Sequence, residues 1–127
     1  MEKCALFAAT LLHSATNTHF FHWETDSFSK HMALAAYYDG IVDLIDQFVE
    51  AYMGKYSKIT KFPNVYHQPK EVVAYIESLI RFVEKARQDL PKDSELQNLI
   101  DEIADLLNST AYKLRLSAWQ SITLPLS

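Results

Sequence analysis

Apolar residues return every three or four positions through most of this chain, the period of helices that bury one face. From Lys3 to Trp23 the repeat runs through Phe7, Leu11 or Leu12 and Ala15, and His19 and His22 continue it. Glu24, Thr25 and Asp26 form a polar break, and Asp26 or Ser27 is suited to cap the next helix. That second helix is predicted from Ser27 to Tyr52, with Leu34, Tyr38, Ile41, Ile45, Phe48 and Tyr52 inside and Gly54 as its stop. Gly40 in its middle costs about 1 kcal/mol relative to alanine, so close helix packing is expected there. A third helix is predicted to start at Pro69 and to bury Val72 or Val73, Ile76, Leu79 or Ile80, Val83 and Ala86, with Pro91 ending it. The fourth starts at Asp93 or Ser94, where Ser94 and Gln97 have capping-box spacing. It buries Leu96, Leu99 or Ile100, Ile103, Leu107, Ala111 and Leu114, and Trp119 with the tail after it is expected outside the helix or as a short cap.

The segment from Lys55 to Gln68 has no period and carries Pro63. Extended, it reaches about 45 Å, and the second helix is about 40 Å long. The connection can therefore run back along the whole bundle. Short, long and short connections between four helices predict an all-α, four-helix bundle of ferritin-like topology, with the long connection between helices two and three. A plain up-and-down bundle with a locally folded middle loop is the alternative. Residues 1–127 are read as a single domain.

Composition narrows the function more than the fold. Hydrophobic residues make up 49% of the chain, enough for one core, and the formal net charge is −4. Only Glu2 and Lys3 precede the apolar pattern, so there is no basic arm, and DNA binding is not expected. The single cysteine, Cys4, has no internal disulfide partner, which fits a reducing compartment. No signal peptide or membrane span is recognisable, so the expected location is the cytoplasm.

The chemistry concentrates between His22 and Glu50. Asp39, Asp43, Asp46 and Glu50 fall within about 60° of one another on a helical wheel, mostly opposite the apolar face. The plain reading is a solvated acidic face. Against it, no Lys or Arg interrupts the span from His31 to Gly54, and carboxylates at this spacing repel one another unless a cation or basic partner relieves them. Phe28 and Met32 lie at the same angle, which suggests a subunit interface. His19, His22 and His31 gather at one end of the first hairpin, whereas His13 and His67 read as surface or hydrogen-bonded residues. Imidazole and carboxylate together suit iron, manganese and zinc. A di-iron centre inside one subunit would need Glu-x-x-His on facing helices, and no such pair occurs in the chain.

Three motifs, Phe21-His22-Trp23, Phe28-x-x-His31 and Asp46-x-x-x-Glu50, together with the fourth-helix run from Asp93 to Leu107, resemble the Dps family of mini-ferritins. The resemblance implies a four-helix bundle that oxidises Fe(II) at a site between two subunits and stores ferric iron. It implies His22 and His31 as ligands from one subunit, and Asp46 and Glu50 from the other. Asp39, Asp43 and His19 are secondary candidates, and Trp23 and Phe28 are expected to pack beside the site. Iron is the implied metal, with zinc or manganese as alternatives on ligand type. The implied partner is the chain itself, as a dimer at least and up to the family's twelve-subunit shell. The chain departs from the pattern in a shorter turn without the family's glycine, in Ala35 where an acidic ligand is usual, and in a crossover too short for the family's extra helix. The competing expectation is a non-catalytic helical scaffold or adaptor whose acidic helix meets a basic protein partner.

Overall fold

A computed structural model describes residues 2–123, with side chains described through Ser117. Four helices form a ring: α1 (Glu2–Glu24), α2 (Phe28–Lys55), α3 (Val72–Ala86) and α4 (Ser94–Thr123). A three-residue 3-10 turn, Arg87–Asp89, extends the end of α3. In the ring α1 packs on α2, α2 on α4, α4 on α3, and α3 on α1.

Contacts at the helix ends fix the chain path. Lys55 at the end of α2 meets Asp93 before α4 at 3.1 Å, and Ser29 near the start of α2 meets Ser117 of α4 at 2.7 Å. These two helices are therefore antiparallel. Lys3 of α1 approaches Asp89 beyond α3 at 3.6 Å, while Phe21 of α1 and Val72 of α3 border one hollow at the other end. So α3 is antiparallel to α1 and parallel to α2. A parallel successor requires the connection to travel the length of the bundle. This is the ferritin-like crossover, and the up-and-down alternative is excluded.

The core is a continuous column of side chains rather than a seam between pairs. Phe7, Leu11, Leu34, Tyr37, Ile41, Phe48, Ile76, Ile100, Ile103, Leu107 and Leu114 are all buried within it. Burying one such aliphatic or aromatic side chain contributes about 1.5–3 kcal/mol. The predicted stripe on α2 needs one correction: Tyr37 is fully buried and Tyr38 is only partly so. The observed spacing Leu34, Tyr37, Ile41, Ile45 still obeys the three-and-four rule. The Tyr37 hydroxyl can enter the core because Ser14 accepts its proton at 2.7 Å, while Ser14 donates to the Leu11 carbonyl at 2.5 Å. Burial pushes the Tyr37 hydroxyl pKa far above its usual value, so this group stays a neutral donor.

Helix ends supply the other corrections. Ser27 caps α2 as expected, accepting from the Lys30 amide at 3.2 Å. Gly54 does not stop that helix. It keeps helical geometry, and the helix closes one residue later, where the Tyr56 amide donates to the Tyr52 carbonyl at 2.8 Å. Pro69 is not the first position of α3. Glu71 is the cap, its carboxylate accepting from the Val73 and Ala74 amides at 3.1 and 2.6 Å. The Ser94–Gln97 capping box does not form, because Gln97 turns back to donate to the Pro91 carbonyl at 2.9 Å and to accept from Arg87. Helix α4 continues past Trp119 to Thr123, and the last four residues of the predicted tail lie outside the described residues. Gly40 is a close packing point: a Cβ there would meet Leu106 of α4 at 3.1 Å.

Candidate functional site

The α1–α2 turn folds His22 and His31 onto each other. Their rings stack with centroids 3.5 Å apart and planes 16° from parallel. His22 Nδ1 lies 2.7 Å from the His31 carbonyl, and His31 Nδ1 lies 2.8 Å from the His22 carbonyl. A carbonyl oxygen only accepts, so each Nδ1 carries the proton and donates. The His22 carbonyl belongs to the last turn of α1, where backbone oxygens lack intrahelical partners. The shorter turn thus does more than join two helices. It sets a histidine on each side of the break to satisfy the other's backbone.

This reciprocal clasp fixes both tautomers. With Nδ1 protonated, the neutral ring keeps its lone pair on Nε2. Neither Nε2 has a hydrogen-bond partner, and no buried side-chain nitrogen or oxygen among the described residues is left unpaired. Both Nε2 atoms therefore retain access to solvent. Metal-binding histidines commonly have this arrangement, one nitrogen held by a carbonyl and the other free.

Around the clasp lies an aromatic cluster. His19 stacks on Tyr38 with centroids 4.1 Å apart, and the Tyr38 ring stands edge-on to His22 at 5.4 Å. Phe28 lies 6.3 Å from His31. Trp23 packs on His19 at 4.3 Å rather than on the histidine pair. Trp23, Phe28 and Met32 are 66%, 76% and 53% exposed, an unusual concentration of large apolar surface around one turn. Tyr38 was missed as a site residue because the sequence pattern assigned it to the core. Its position seven residues after His31, two turns along the same face, was the available signal.

The carboxylates stand elsewhere. Asp46 stands fifteen positions after His31 on unbroken helix, about 22 Å along α2, and Asp46 and Glu50 are exposed. One subunit does not bring them to the histidines. The secondary candidates His19, Asp39 and Asp43 border a shallow groove with Tyr38. Among the described residues, however, no three His, Cys, Asp or Glu side chains are grouped so as to hold a metal ion. None of the four acidic residues of the stripe forms an ion pair there. No described helix is long and apolar enough to cross a membrane.

The fold and site define a helical-bundle protein with a long crossover, a clasped histidine pair and an unpaired acidic helix face. The chain belongs to the family of unknown function DUF5856, whose model matches residues 22–114. That match starts at His22 and contains both the clasp and the whole acidic stripe. The chain is also 25% identical over 119 residues to the uncharacterized 14.6 kDa protein in the mobD-ri intergenic region of Enterobacteria phage T4, covering 91% of this chain and 90% of that protein. No solved structure matches.

Proposed function

We propose that this protein binds a transition-metal ion, iron foremost, between two copies of the chain, and that it oxidises Fe(II) there. The observation that carries the reading is the His22–His31 clasp, which presents two Nε2 lone pairs beside an exposed apolar rim. Two imidazoles are half of a ligand set, and exposed carboxylates on the same helix are the natural other half. A two-fold axis near residues 39–40 of α2 would place His31 opposite Asp46 and Glu50 of the partner subunit, because a two-fold interface pairs each surface with itself. Asp39, close to the axis, would then face its own copy, and a bound cation would relieve that repulsion. Each Fe(II) would give up one electron to peroxide or dioxygen supplied from solution. Ligation requires unprotonated Nε2, so binding weakens in acid.

The test is sedimentation together with anaerobic Fe(II) titration, followed by addition of peroxide. The wild-type chain is expected to be a dimer or larger and to develop ferric absorbance. His31→Ala and Asp46→Ala are each expected to weaken Fe(II) binding at least about 100-fold, by loss of a ligand. The loss of one side-chain hydrogen bond should cost His31→Ala only about 1 kcal/mol of stability. A monomer, or a His31→Ala chain that titrates like wild type, would sink the proposal. The second reading, an adaptor, rests on the acidic stripe having no ion-pair partner among the described residues. Oligomers that bind no Fe(II) would favour it.

A further inference from the structure

The seam between α1 and α3, remote from the histidine clasp, contains a groove in two parts. This seam presents Thr10, Ser78 and Ala86, too small to close the gap. The part nearer the start of α1 is a hollow of about 260 Å³ with an apolar floor of Leu6, Phe7, Phe82 and Ala86. Phe7 and Phe82 stack beneath it, centroids 6.1 Å apart and 18° from parallel. Its charged edge is Lys3, Lys85 and Asp89. Asp89 approaches Lys3 at 3.6 Å, with both side chains more than half exposed, so that pair is weak. Lys85 has no ion pair among the described residues. The edge is therefore net positive on a chain whose net charge is −4.

The second part lies beyond Phe82, which borders both, and mixes polar side chains with Val65, Tyr75 and Leu79. Asn17 there is fully engaged, donating to the His67 carbonyl and to Tyr75 at 3.0 Å each and accepting from Tyr66 at 2.9 Å. Thr10 and the rings of His13 and His67 also line it. From Lys3 to Thr10 the groove follows about 10 Å of α1.

We infer that this groove binds a small amphiphilic anion, with its acidic head at Lys3 and Lys85 and a short apolar chain along the floor to Phe82. The two lysines set the sign of the head, and the floor of Leu6, Phe7, Phe82 and Ala86 takes the chain. Pockets that bind small molecules combine an apolar lining with a few placed polar groups in this way. A carboxylate and a phosphate head share the required chemistry, and the probes below separate them.

The test uses the full chain, labelled with 15N, titrated with octanoate, octyl phosphate and octylammonium. Either anion is expected to shift the amide signals of Leu6, Phe82 and Ala86 saturably, and the cation is expected not to. The tighter of the two anions identifies the head. Lys3→Glu combined with Lys85→Glu, two exposed changes, should weaken the anion at least 10-fold while circular dichroism stays unchanged. Absence of saturable shifts with either anion would overturn the inference. So would equal binding of octylammonium, or anion affinity indifferent to the charge reversal. Fe(II) binding by the same variant should match wild type, so failure here and failure of the metal reading are separately visible.

Discussion

The two ends of the bundle handle their polar groups in opposite ways. At the end where α2 stops and α4 starts, Asp93 accepts from Tyr56 and from Lys55, and its backbone carbonyl accepts from the Leu96 and Gln97 amides at 3.1 and 2.9 Å. Both carboxylate oxygens of Asp93 and its carbonyl are engaged, and the node ties two helix ends together. At the other end, His22 and His31 use one ring nitrogen each on a carbonyl and leave the second open. The difference separates structural polar groups from candidate functional ones. A node whose hydrogen-bonding capacity is spent holds the fold, and one that keeps capacity in reserve can meet a ligand.

The crossover supplies the strongest test of that distinction. Asn17 is buried and makes three hydrogen bonds, two to the crossover at His67 and Tyr66 and one to Tyr75 of α3. At about 1 kcal/mol per bond, Asn17→Ala should cost about 3 kcal/mol in urea unfolding. Fe(II) affinity of the folded protein should be unchanged, because the histidine clasp does not touch this node. A loss below about 1 kcal/mol would show that Asn17 is not what fastens the crossover, and the comparison would lose its clearest structural member.

Asp93 gives a second, smaller effect with a defined pH signature. The Tyr56 hydroxyl and then the Lys55 ammonium hold its carboxyl below the usual aspartate range. Its folded pKa is depressed, so the folded state binds fewer protons between the two values, and stability rises with pH there. The contribution is complete above the unfolded value of about 3.9 and is lost as pH falls through the folded value. Asp93→Asn should therefore flatten the decline of stability below about pH 4 and leave the profile at neutral pH parallel to wild type. An unchanged acid limb would show that other carboxylates dominate it.

How far the sequence reached can be seen at particular residues. Long amphipathic repeats made the four helices and the crossover legible, because burying Leu34, Ile41 and Ile45 against Ile100 and Leu107 dominates the energy. Ends were less legible. The choice of Glu71 over Pro69, and of Gln97 turning to Pro91 rather than to Ser94, depends on neighbours brought by tertiary contact. At the site, the sequence brought His22 and His31 to one end of the hairpin. Their mutual bond to each other's carbonyls was not visible, since it depends on the exact path of a three-residue turn. Tyr38 was misassigned for a related reason: adjacent tyrosines at 37 and 38 fit the period almost equally, and the Ser14 hydroxyl decides which one is buried.

The two glycines of α2 give the smallest and most delicate test, at positions where no polar group is involved. Both sit inside one helix with ordinary negative φ, so each Gly→Ala change gains up to about 1 kcal/mol of helix propensity. At Gly54 a new Cβ meets nothing within 4 Å, and Gly54→Ala should stabilise by somewhat less than that, being close to the helix end. At Gly40 the Cβ would press on Leu106 Cδ2 at 3.1 Å. The obstacle is the tip of a flexible side chain, so the propensity gain and the packing cost nearly cancel. Gly40→Ala should then lie within about 0.5 kcal/mol of wild type. Thermal unfolding of both variants checks the ordering. If Gly40→Ala were the more stabilising of the two, α2 and α4 would have room to separate at Leu106, and close approach would not be why that glycine is there.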